Sequence, residues 1–165
     1  MSRAFVKEDT DDIAPLPDLP VSPHPNLVTP RGLADLNRRL LAAQEVLAAL
    51  RARPERLDKL PEAAAERDIR YLEARLRSAI LIDPRAQDAT EVRFGHRVTV
   101  TDEDGQEAVY EITGEDEADA PLGRVAPHSP LARALLGAAV GDSVVWRRPA
   151  GAVELEILKI EVADD

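Results

Sequence analysis

The sequence has no cysteine, which excludes a disulfide framework, a thiol nucleophile and a Cys-based zinc site, and fits a reducing compartment, the cytoplasm by default. Aromatic side chains make up only 3% of the 165 residues, few for a pocket walled by several rings. The stretch Met1–Pro15 has no apolar h-region, and nothing approaches the ~18 uninterrupted apolar residues that span a bilayer, so no membrane contact is expected. His24, His96 and His128 are scattered along the chain and predict no metal constellation; no metal or cofactor is expected. A surplus of positive charge is missing too. The net charge of −10 argues against a simple nucleic-acid binder, because repulsion from phosphate would have to be overcome locally.

The charge is unevenly spread. Residues 1–29 carry two basic and five acidic side chains, residues 30–80 eleven and eight, and residues 81–165 eight and eighteen, giving −3, +3 and −10. Such asymmetry predicts modules facing different surroundings. Residues 10–28 hold five of the thirteen prolines and no hydrophobic period, so a helix or a central strand is unfavourable there. Residues 1–28 are therefore expected to form an extended, mobile tail.

Thr29-Pro30-Arg31-Gly32 opens a helix, with Thr29 as N-cap and Pro30 where a missing amide is no loss. Leu33, Leu36, Leu40, Ala43, Leu47 and Leu50 then follow spacings of three and four, an a/d stripe. Pro54 and Pro61 interrupt helical hydrogen bonding, after which Ala65, Ile69, Leu72, Leu76 and Ala79 form a second stripe. The two predict an antiparallel coiled-coil arm over residues 29–83, with a first helix ~33 Å long. Asp83-Pro84 closes it.

The period then changes to two. Val92, Phe94, Val98 and Val100 lead into the turn Asp102-Glu103-Asp104-Gly105, and Ala108, Tyr110 and Ile112 return as a strand. After an acidic loop, Ser129-Pro130 starts a short helix, Gly141-Asp142 makes a turn, and Val144, Trp146, Val153, Leu155, Ile157 and Ile160 read as further strands. Trp146 at strand spacing is expected in the core. Four or five antiparallel strands with one helix across a face make residues 84–165 a separate unit, and the whole chain α+β.

Thr29-Pro30-Arg31-Gly32, Phe94-Gly95, the run from Ser129 to Gly137 and Val140-Gly141-Asp142 with Pro149 and Gly151 together resemble the bacterial Gre transcription factors, over about residues 27–162. The resemblance implies an FKBP-like C-terminal domain that docks at the rim of the RNA polymerase secondary channel, and a helical arm entering the channel. It points to His128, Ser129, Pro130 and Arg133 as polymerase-docking residues, although family members often carry an acidic residue where His128 stands. It also implies RNA polymerase as partner, indirect contact with RNA or DNA in the elongation complex, and a monomer that is not itself an enzyme.

Cleavage-active members carry Asp-x-x-Glu-Asn at the arm tip, where carboxylates help to hold a second Mg²⁺ in the polymerase active site. Here the tip reads RPERLDKLPEAAAERD: Asp58 and Glu62 are one residue too far apart and no asparagine is present. The arm is also shorter by about twenty residues in total, or ~15 Å of reach. Asp58, Glu62 and Glu66 are the candidate tip carboxylates, with a solvated loop and a helix-favouring first turn as the plain alternative. Arg38, Arg39, Arg51, Arg53, Arg56, Arg67 and Arg70 are candidates for a basic face on the arm. The expectation is an elongation regulator without cleavage stimulation. Its rivals are a cleavage stimulator with a rearranged tip, an FKBP-like prolyl isomerase, for which Phe94, Tyr110 and Trp146 supply few aromatics, and a general interaction module.

Overall fold

The computed structural model describes residues 14–163; the earlier part of the expected tail lies outside them. Strand β1 (Leu27–Val28) leads into helix α1 (Pro30–Arg51), and α2 (Leu60–Ser78) returns alongside it. Thr29 caps α1 by accepting the Gly32 amide at 3.0 Å. On α1 the predicted stripe is the covered one: Leu36 and Leu47 are buried, and Leu33, Leu40, Ala43 and Leu50 half-buried, among largely exposed neighbours. Pro61 does not break α2; it sits in its first turn, where an amide has no intrahelical partner.

The tail lies against the arm. Arg70 of α2 holds Asp18 at 2.6 Å and the Leu16 carbonyl at 2.8 Å, and the Asn26 side chain is buried, donating to the Arg75 carbonyl at 2.8 Å. Covered by the tail on one side and α1 on another, α2 has almost no exposed position between Pro61 and Leu76. Strand β1 pairs in parallel with β2 (Ile80–Leu81), which follows α2. This pairing of the chain entering the hairpin with the chain leaving it was not legible in the sequence.

The C-terminal unit is a five-stranded curled sheet made of β3 (His96–Thr101), β4 (Glu107–Ile112), β5 (Arg124–Val125), β6 (Ser143–Arg148) and β7 (Gly151–Val162), ordered β5-β4-β3-β7-β6. Its long pairings are antiparallel, as expected, but β5 joins β4 in parallel, so the sheet is mixed. Helix α3 (Pro130–Leu135) supplies Leu131, Ala132 and Leu135 to a core with Val98, Ile112 and Ile157. The first strand starts later than the sequence implies. Phe94 and Gly95 precede it, Gly95 adopting φ +87° and donating its amide to Ile112 at 2.8 Å, a conformation that glycine takes without strain. Among the described residues no helix is long and apolar enough to cross a membrane.

Candidate functional site

At the arm tip the carboxylates are already engaged. Glu62 is 5% exposed, and both its oxygens meet the Arg56 guanidinium, Nε at 2.7 Å and Nη2 at 2.6 Å. Hydrogen bonding to Arg56 holds the Glu62 carboxyl below the usual carboxylate range. The plain expectation of a solvated Glu62 is thus corrected, because the loop before α2 folds Arg56 back over it. Asp58 accepts the Leu60 amide at 3.0 Å, and Glu66 pairs with Arg51 at 2.8 Å. The structure therefore does not gather the three acids into one cluster. Among the described residues no group of three or more His, Asp or Glu side chains is placed to hold a metal ion.

The candidate basic face is largely neutralised within the chain. Arg38 pairs with Asp35, Arg67 with Asp68 at 3.1 Å, and Arg70 with Asp18. Arg53 donates to the Leu50 and Asp58 carbonyls at 3.0 and 3.1 Å and lies 3.9 Å from Glu62. Of the residues proposed, Arg39 alone forms no ion pair among the described residues.

The docking candidates do come together. Ser129 caps α3 by accepting the Ala132 amide at 3.2 Å, Pro130 occupies an exposed first position, and Arg133 points outward one turn on. His128 precedes them with its ring stacked on His24 of the tail, centroids 4.2 Å apart and planes 9° from parallel. Its Nδ1 lies 3.1 Å from a Glu115 oxygen that also accepts from Ser22 at 2.7 Å. A carboxylate thus stands beside His128, delivered by another loop. The result is a rigid, capped corner with a cationic side chain on its helix, flanked by the tail.

Behind this corner lies a charged joint that sequence reasoning missed. The acidic loop after β4, read only as a connection before Ser129, clasps the base of the arm. Arg75 is 1% exposed and meets Asp116 at 2.7 Å, the Asn26 side chain at 2.7 Å and Glu115 at 3.5 Å. Tyr71 donates to Asp116, and burial followed by that hydrogen bond pushes its phenol up to about 12. Arg31 reaches Glu111 at 2.6 Å and Glu117 at 3.1 Å. Glu117 also accepts from the Thr29 hydroxyl at 2.6 Å, a negative charge at the positive end of α1. Gly32 makes the room, since a Cβ there would overlap the Glu117 carboxylate. The Thr-Pro-Arg-Gly run is therefore half cap and half joint. The available signal was an arginine beside Leu72 and Leu76 in an apolar seam, together with acidic excess elsewhere.

Comparison with known proteins bears on the same regions. Residues 87–162 match the family model for the C-terminal domain of transcription elongation factor GreA/GreB. The chain is 42% identical over 97 residues to the transcription elongation factor GreB of Neisseria meningitidis serogroup B, covering 58% of this chain and 60% of that one. It is 44% identical over 101 residues to GreA of Alkalilimnicola ehrlichii, covering 60% and 64%. The chain thus spans less than two thirds of the length of these curated relatives. Among solved structures, the GreA factor homolog 1 protein of Thermus thermophilus aligns over 84% of this chain and 99% of its own, at 22% identity and a TM-score of 0.40, a likeness too loose to carry an argument about arrangement.

Proposed function

We propose that this chain, whose residues 87–162 match the C-terminal domain of the GreA/GreB family, binds RNA polymerase and regulates elongation at the secondary channel without stimulating transcript cleavage. The C-terminal domain provides the anchor through Ser129, Pro130 and Arg133, with His128 and its neighbour Glu115 at the edge. A loop whose geometry is set by a proline and a capped helix loses little entropy on binding. The arm then occupies the channel entrance, in the bacterial cytoplasm, as a monomer.

One observation carries the absence of cleavage stimulation: the Glu62 carboxylate is buried and held by both donors of Arg56. Contributing it to a metal would mean breaking that pair in a poorly solvated place, and Mg²⁺ demands several oxygens at ~2.1 Å in near-octahedral geometry. Asp58 and Glu66 are each tied to separate partners.

The test is transcript shortening in stalled elongation complexes. The protein alone is expected to produce none, and when added beside an active cleavage factor it should reduce that factor's activity with increasing concentration. Shortening by this protein alone, abolished by Asp58→Ala or Glu62→Ala, would overturn the reading. Separately, Ser129→Glu with Pro130→Ala should weaken binding to core polymerase at least about tenfold, or ~1.4 kcal/mol.

A further inference from the structure

The concave face of the sheet is covered by α3 over only part of its area. Toward the two hairpin turns it opens into a groove of about 360 Å³ that no residue of α3 lines. The floor is apolar, from buried Val100 and Leu155 and half-buried Val153. Tyr110 and Trp146 stand edge to face at 6.1 Å as a wall, and the Arg148 guanidinium lies 5.2 Å from the Trp146 ring centre. Trp146 is therefore core on one side and groove wall on the other, which goes beyond the sequence expectation.

The rim is predominantly acidic. Asp102, Glu103, Asp104 and Glu107 border the groove, and Arg148 is the only cation lining it. Asp102 is used by the turn, accepting the Asp104 and Gln106 amides at 2.9 Å. Glu103, Asp104 and Glu107 form no salt bridge with any described residue, in a protein whose other surface carboxylates are so often paired. An apolar slot with aromatic walls and unneutralised acids at its mouth complements a segment that inserts an aliphatic side chain and flanks it with lysine or arginine. Phosphate-bearing ligands are disfavoured by the same rim.

We propose that this groove is a second protein-docking site, which takes a basic segment of a partner protein with an apolar anchor residue seated on the Val100, Val153 and Leu155 floor beside the Tyr110–Trp146 wall. The site is separate from the Ser129–Pro130 corner, and its test requires no polymerase.

Trp146 is the only tryptophan in the chain, so its emission reports occupancy of the groove. The full-length protein is titrated with a short alternating Lys/Leu peptide, with the matching Glu/Leu peptide, and with a single-stranded RNA oligonucleotide. Expected is a saturable change in Trp146 emission with the Lys/Leu peptide alone, weakened by salt. Charge reversal at the rim, Glu103→Lys with Glu107→Lys, should weaken binding about tenfold. The same charge change on the opposite face of β7, Glu154→Lys with Glu156→Lys, should leave binding within about twofold of the starting protein. Circular dichroism verifies that both variants fold, and single Glu103→Gln or Glu107→Gln variants replace any that does not. Equal responses to both peptides, no response to the cationic one at about 1 mM, equal losses from the two charge reversals, or a response to RNA alone would each overturn the proposal.

Discussion

The two halves of this molecule are held together by different forces. The C-terminal unit has a contiguous apolar core of ten buried residues, from Val92 to Ile157. The base of the arm has three, Val28, Leu36 and Leu72, and supplements them with the charged joint around Arg75, Arg31 and the acidic loop. Apolar burial is non-directional and summed over many contacts, so a core tolerates the weakening of any one of them. A thin seam tied by ion pairs depends on a few specific partners. The arm thus derives much of its order from groups outside its own helices.

The sharpest way to break the comparison is to damage each core in turn, with a charge in the arm and a cavity in the sheet. Leu72→Asp is expected to cost about 4 kcal/mol or more and to melt the arm, since an unpaired carboxylate would replace one of the three buried residues of the cluster at its base. Ile157→Ala should cost about 2–5 kcal/mol and lower the stability of the sheet alone. Amide hydrogen exchange resolved along the chain, with Trp146 fluorescence for the sheet, distinguishes the two. Loss of both units in either variant would mean that they share one core.

Arg75→Ala tests the joint. It strands Asp116 and part of Glu115 without their cation, and is expected to cost about 2–4 kcal/mol. The exchange protection of residues 71–79 and of the loop 114–118 should fall together while the tip of the arm stays as it was. Independent changes in those segments would show that the joint is not one unit.

The sheet has its own sensitive point in His96. The side chain is buried, Nδ1 accepts the Arg93 amide at 2.9 Å, and Nε2 has no partner. Burial pushes its pKa down from 6.5. The unfolded chain then binds the proton more readily than the folded one, so stability present above about pH 6.5 is lost as pH falls from there toward the lowered folded value. Denaturant titrations between pH 7 and 5 should show this slope in the starting protein and lose it in His96→Gln. An unchanged slope would assign the acid sensitivity to carboxylates. The smallest effect expected is that of Asp18→Ala, which removes an exposed pair with Arg70. It should cost no more than about 0.5 kcal/mol, seen as faster exchange in the tail beside α2 with no change in the sheet.

Much of this architecture was legible in advance where the signal is local. The seam on α1 follows from leucines three and four apart, the Ser129 cap from a hydroxyl before Pro130, and the β3–β4 turn from Asp102 to Gly105. The candidate site was legible only in part. His128, Ser129, Pro130 and Arg133 do form one corner, but their neighbours His24 and Glu115 come from distant segments. The tip carboxylates were identified as residues and not as partners of Arg56 and Arg51.

What the sequence by itself determined is therefore each segment's preferred form and the face it buries, because periodicity, caps and turn residues act within a few positions of one another. Only the tertiary structure decided which charges are spent. Arg75 meets Asp116 across 41 residues and Thr29 meets Glu117 across 88. An ion pair has no period, and an arginine in an apolar seam or a glutamate in an acidic loop looks the same in sequence whether it faces water or a partner. The path of the chain brings them together, and burial then makes the pairing obligatory, since an unmatched charge at such a place would cost several kcal/mol.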